Sequence, residues 1–206
     1  MRFRNSPQSY GAVSKFLHWL TVALVIAAWL LGTFGDELPR GAARSTGLFV
    51  HIFAGLGILI VLVVRLLWRV IDPPPQPEIT PFGGWLELLG KLTHVALYVL
   101  LAATPILGIL LQFARGDALP VFGLTEIASP WAMDRSFARS IKEVHETLSN
   151  ILMVLAAFHA LAAMIHHWVW RDRTLERMLP VIARRSSNSN LDGGRRWSPH
   201  VVPPPR

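Results

Sequence analysis

Four apolar stretches constrain this chain more than any other feature: approximately Phe16 to Phe34, Leu48 to Trp68, Thr93 to Phe113 and Asn150 to Trp170. Each is long enough to cross the roughly 30 Å hydrocarbon layer of a bilayer, which takes about 20 residues of helix at 1.5 Å per residue. The expected fold is therefore all-α and integral to a membrane, a bundle of four transmembrane helices. Composition agrees, since 52% of the residues are hydrophobic, only 16% are charged and the mean hydropathy is +0.41. A soluble domain has a different balance.

Cysteine is absent, which excludes disulfides, iron–sulfur clusters, thiolate metal sites and thioether-linked haem. Any cofactor must be held by histidine or by non-covalent contacts. The net charge of +7 does not point to nucleic acid, because the basic residues gather at the ends of the apolar spans, where they report topology. Arg171, Arg173, Arg177, Arg184 and Arg185 place the C-terminus in the cytoplasm. Four spans return the N-terminus to the same side, in agreement with Arg2, Arg4 and Lys15. The first apolar run is long for a signal peptide, and "LLGTFGDELP" after it offers no small-x-small cleavage site, so it reads as a retained helix.

The connections follow. Residues 36–46 balance Arg40 and Arg44 against Asp36 and Glu37, as an outside loop would. "IDPPPQPEITPFGG", 71–84, is a stiff proline-rich cytoplasmic connector. Residues 114–140 form the largest external feature, and the fourth helix is expected to start near Ser136 to Ser140, reach Trp170 and overhang the lipid. The membrane domain covers 1–182; residues 183–206 form a disordered, basic, Pro-rich tail in which His200 has no case as a ligand. No internal repeat is evident.

Seven histidines remain, all on or beside the spans. An imidazole in hydrocarbon needs a partner, so each is a functional suspect. His18 lies about one turn inside the cytoplasmic end of the first helix, and His51 about one turn inside the outer end of the second. On the fourth helix, His145 is near the outer surface and His159 is about 21 Å deeper, rotated by about 40°. By depth, His51 pairs with His145 and His18 with His159. Two histidines facing each other from different helices are the usual clamp for a haem b through both axial positions. The expectation is two bis-histidine haems b stacked across the membrane, able to pass electrons but without a vacancy for oxygen. Zinc or proton transport is the other use of His-rich spans, but the Asp or Glu partners usual for it are missing from them.

His94, His166 and His167 are left over. His166 lies about 10 Å beyond His159 and is rotated by about 20°, so it either meets the head of a membrane quinone or simply touches interfacial water. Arg115, Arg139 and Lys142 cluster at the outer surface. They either draw in a small anion, pair with Asp117, Asp134 or Glu143, or receive haem propionates.

The stretches "SKFLHWLTVALVIAAW" (14–29), "HIFAGLGILIVLVVRLLWR" (51–69), "RGDALPVFGL" (115–124) and, most specifically, "KEVHETLSNILMVLAAFHALAAMIHHWVWRDRTLERMLP" (142–180) resemble the bacterial cytochrome b-561 family, in the family's order. Residues 36–46 and the tail carry no resemblance. The resemblance implies an inner-membrane oxidoreductase with His18, His51, His145 and His159 as haem ligands. It also implies that superoxide gives its electron to the outer haem, releasing oxygen, and that ubiquinone is reduced on the cytoplasmic side. The family's quinone-contacting histidine corresponds to His166, with Lys15 and His167 as further candidates; Arg115 falls in a matching stretch as part of a superoxide funnel, to which Arg139 and Lys142 are added by position and charge alone. No catalytic acid or base is required. Two other functions compete: an electron-transfer subunit relaying electrons between the quinone pool and a protein partner, and a haem-free structural or transport protein, which would be colourless.

Overall fold

The computed structural model describes residues 2–76 and 84–179. Four long helices dominate: α1 (Ala12–Phe34), α2 (Ala42–Ile71), α3 (Gly84–Ala114) and α4 (Arg135–Trp168). All four are long and apolar enough to span a membrane. Between α3 and α4 stand two short strands, β1 (Leu119–Val121) and β2 (Thr125–Ile127), and a one-turn helix, α5 (Thr174–Met178), follows α4. Half of the proline-rich connector, residues 77–83, and the whole 183–206 tail lie outside the described residues.

Consecutive helices pack against each other, α1 on α2, α2 on α3 and α3 on α4. The central core takes Val25 from α1, Ile58 and Leu62 from α2, Leu101 from α3 and Leu152 from α4. Large apolar side chains such as Ile60, Leu67, Val95, Val99 and Phe158 instead stand on the outside. In water such a surface would aggregate, whereas lipid tails solvate it. Trp29 Nε1 of α1 donates to Asn150 Oδ1 of α4 at 3.1 Å and joins the first helix to the last.

The α4 helix, at 34 residues, is about 51 Å long and outruns the hydrocarbon, as its sequence predicts. It begins slightly earlier than expected because Asp134 caps it, accepting from the Phe137 amide at 3.0 Å. At this far end, α3 stops where Gly116 adopts φ +76°. Gly116 N–H then reaches Phe113 O at 2.9 Å and Asp117 N–H reaches Gln112 O at 3.2 Å, a Schellman-type closure that glycine permits. The hairpin β1–β2, which three-residue strands make invisible in a sequence, leans on α2 through Phe122 against Phe53, 4.9 Å between ring centroids.

The near end gathers both termini of the described chain. Asn5 donates its backbone N–H to Asp72 Oδ2 at 2.8 Å and its amide to Asp72 O at 2.9 Å. Trp19 Nε1 donates to Met178 O at 3.0 Å. Arg177 donates to the carbonyls of Pro7, Gln8 and Gln76, so α5 sits across the mouth of the bundle.

Candidate functional site

Toward the far end, His51 of α2 and His145 of α4 face each other, with ring centroids 6.1 Å apart and planes at 74°. Each ring is pinned from behind. His51 Nδ1 bonds Ala28 O of α1 at 2.8 Å, and His145 Nδ1 bonds Thr104 O of α3 at 2.9 Å. A carbonyl only accepts, so Nδ1 carries the proton in both rings and Nε2 keeps its lone pair for a metal. Both imidazoles also lie against a glycine. A Cβ at Gly32 would sit 3.0 Å from His51 Cε1, and one at Gly108 would sit 3.3 Å from His145 Cε1.

The two halves of this arrangement repeat each other. In α1 and α3 the pattern Lys-x2-His-x9-(Ala/Thr)-x3-Gly occurs twice, as Lys15, His18, Ala28, Gly32 and as Lys91, His94, Thr104, Gly108. The internal repeat that the sequence reading misses is thus a helical hairpin offering a carbonyl and a glycine to the histidine of its second helix. Likewise, His51-x13-Arg65 in α2 matches His145-x13-His159 in α4. Arg65 therefore occupies the register that His159 holds.

Toward the near end, His159 meets His94, ring centroids 5.1 Å apart at 70°. His18 stands edge-on to Trp19 at 5.6 Å and within electrostatic reach of both. Sequence depth pairs His18 with His159 and leaves His94 spare; the structure brings all three to one place. Arg65 joins them, donating to Thr21 Oγ1 at 3.3 Å with its guanidinium 5.6 Å from the Tyr98 ring centroid. From sequence, Arg65 reads only as a flanking charge. Lys15 is buried in the α1 wall.

His166 and His167 end α4. His167 Nδ1 is buried without a partner among the described residues. His166 Nδ1 meets Asp172 Oδ2 at 2.5 Å, a partner that no spacing rule suggests. Burial pushes the Asp172 carboxyl up, but the bonds from His166 and from Thr174 outweigh it and leave the group below its ordinary value.

At the far end, Arg115, Arg139 and Lys142 do come together, with Arg135 and Ala138, around an open cavity of about 300 Å³. Lys142 pairs with Glu146 at 3.4 Å. Among the described residues, no ion pair joins Arg115, Arg135 or Arg139 to Asp117, Asp134 or Glu143. Arg115 acts electrostatically on His145, so the cavity and the histidine pair share one region.

Among the described residues, no three His, Cys, Asp or Glu side chains are placed to hold a bare metal ion. Facing imidazoles with free Nε2 atoms suit a metal whose other ligands come from a macrocycle, and the apolar helix faces suit the macrocycle itself. Fold and site thus define a membrane-embedded electron-transfer protein of the haem b class. Residues 9–181 match the family described as prokaryotic cytochrome b561, and the chain belongs to that family. It is 33% identical over 185 residues to cytochrome b561 homolog 2 of Escherichia coli (strain K12), covering 87% of this chain and 95% of that one. It is also 33% identical over 177 residues to the probable superoxide oxidase CybB of Yersinia pestis, covering 84% and 97%. Cytochrome b562 of Cereibacter sphaeroides is 27% identical over 178 residues, covering 82% and 94%.

Proposed function

We propose that this chain is a superoxide:ubiquinone oxidoreductase of the bacterial inner membrane, with both termini in the cytoplasm. What supports it above all is the far-end arrangement: two facing imidazoles with pinned Nδ1 atoms beneath a cavity lined by Arg115, Arg135, Arg139 and Lys142. The printed name of the Yersinia pestis relative points the same way. Haem b at His51 with His145, and at His159 with His18, supplies one-electron couples that need no open coordination site.

The chain's own residues do the rest. The basic cavity concentrates a monovalent anion beside the outer pair. Ala28 O and Thr104 O hold the rings in the one tautomer that ligates, and Gly32 and Gly108 let them approach the helices closely. His94 stands as a third imidazole at the inner site. At the cytoplasmic end, His166, with Lys15 and His167 as further candidates, meets the quinone head. Two superoxide ions become two oxygen molecules, and their two electrons, with two protons, turn ubiquinone into ubiquinol.

The test is haem content and a reduced-minus-oxidised spectrum on detergent-purified protein, then a superoxide pulse with and without ubiquinone. Two b-type haems per chain, reduced by superoxide and reoxidised by quinone, are the expected result. Haems that ignore superoxide yet exchange electrons with quinol would instead make this a relay subunit for a partner protein.

A further inference from the structure

Beyond α4 the chain folds back, and the reversal closes on His166. Arg171 takes the left-handed backbone, φ +54°, and Asp172 N–H donates to His166 O at 3.1 Å. The carboxylate is then held at both oxygens. Oδ2 meets His166 Nδ1 at 2.5 Å, and Oδ1 accepts from the Thr174 amide at 2.8 Å. The Trp170 ring stands edge-on to the imidazole, 4.4 Å away at 87°. Both side chains of the pair are largely covered, at 19% and 16% exposure, so solvent does not dilute the contact. A left-handed, non-glycine residue is unfavourable unless surrounding bonds hold it. Here two of those bonds, from the Asp172 amide and to its carboxylate, close on one histidine.

A carboxylate accepts and does not donate, so His166 Nδ1 carries a hydrogen and Nε2 is the nitrogen left for another partner. We infer that Asp172 is a positioning residue for quinone reduction: it grips His166 through Nδ1 so that Nε2 presents a proton to the quinone oxygen. This holds provided that His166 is the quinone contact, as proposed above. An aspartate that stays ionised, as the direction of its shift indicates, keeps accepting the Nδ1 hydrogen whether or not Nε2 has given up its own.

The balance is simple. Reduction of one ubiquinone to ubiquinol takes two electrons, delivered singly by two superoxide ions, and two protons. One proton leaves Nε2: its N–H bond breaks, an O–H bond forms on the quinone, and the imidazole is left neutral with Nδ1–H still on Asp172. The second proton, and the one that recharges Nε2, come from water at that end of the bundle. Thr174 keeps the carboxylate in place throughout.

The experiment uses the haem-loaded full chain, reduced with dithionite and mixed with ubiquinone-1 in a stopped-flow spectrometer, in H₂O and in D₂O. Asp172→Asn is expected to keep haem content, spectrum and reduction by superoxide. It is expected to slow reoxidation by quinone roughly tenfold or more and to enlarge the solvent isotope effect, while Asp172→Glu restores most of the rate. A merely structural role would change haem retention or apparent quinone affinity and leave the isotope effect as it was. Reoxidation of the Asp172→Asn variant at the wild-type rate, with an unchanged isotope effect, would overturn the inference while leaving the quinone reading intact. Wild-type protein that quinone cannot reoxidise would overturn both.

Discussion

His51 and His145 each rest on a glycine, and that contact sets a sensitive test of the outer site. The approach at Gly32 is the tighter of the two. Gly32→Ala should therefore push the His51 ring out of place, at about 1 to 3 kcal/mol of overpacking, and lower haem retention more than Gly108→Ala does, as read from haem content after dialysis. The near-end cluster makes a sharper distinction. His18→Ala should remove one haem and spare the other, whereas His94→Ala should keep both; the reverse pattern, read from pyridine haemochrome content, would make His94 the ligand. His94 was not legible as a neighbour of His159 because sequence gives depth along a helix but not the rotation of one helix against another, which packing decides. Asp172 was invisible for a different reason, since it reaches His166 only through a reversed turn within an arginine-rich segment. Its carboxyl lies below the ordinary value near pH 4. The clasp's contribution is thus complete above that pH and is lost as pH falls through the lower folded value, which amide exchange at Thr174 would report.

Helices were the legible elements, because an apolar run of some twenty residues has few other fates: the first three spans fall inside α1 to α3, and the fourth overruns the end of α4 by only Val169 and Trp170. Their ends were less so. The α2 and α3 helices start before the expected spans, at Ala42 and Gly84, in stretches where Arg44, Glu87 and Lys91 interrupt the apolar run and hydropathy no longer marks the helix. The hairpin β1–β2 was missed because three residues per strand give no alternation to detect. The Asp134 cap offers a measurement at this scale. Asp134→Ala should cost about 1 kcal/mol at the start of α4 and speed hydrogen exchange of the Phe137 amide about fivefold, without changing haem content.

At the scale of the whole molecule, a local basic cluster stands where the proposed substrate arrives. Neutralising Arg115 and Arg139 together should slow haem reduction by superoxide and flatten its dependence on ionic strength, because steering by an open basic cavity is screened by salt. Fast mixing at low and high salt reads both effects. The spacing of His145 and His159 along α4 has one more consequence. The two positions are separated by about 21 Å of a roughly 30 Å barrier, so an electron moving between them crosses some two-thirds of the membrane's electric field. In the proposed orientation it moves toward the negative side, against a potential of about 2.3 kcal/mol per 100 mV for a full crossing. Each superoxide removed would then leave the membrane more strongly polarised, and a highly energised membrane would hold the same reaction back.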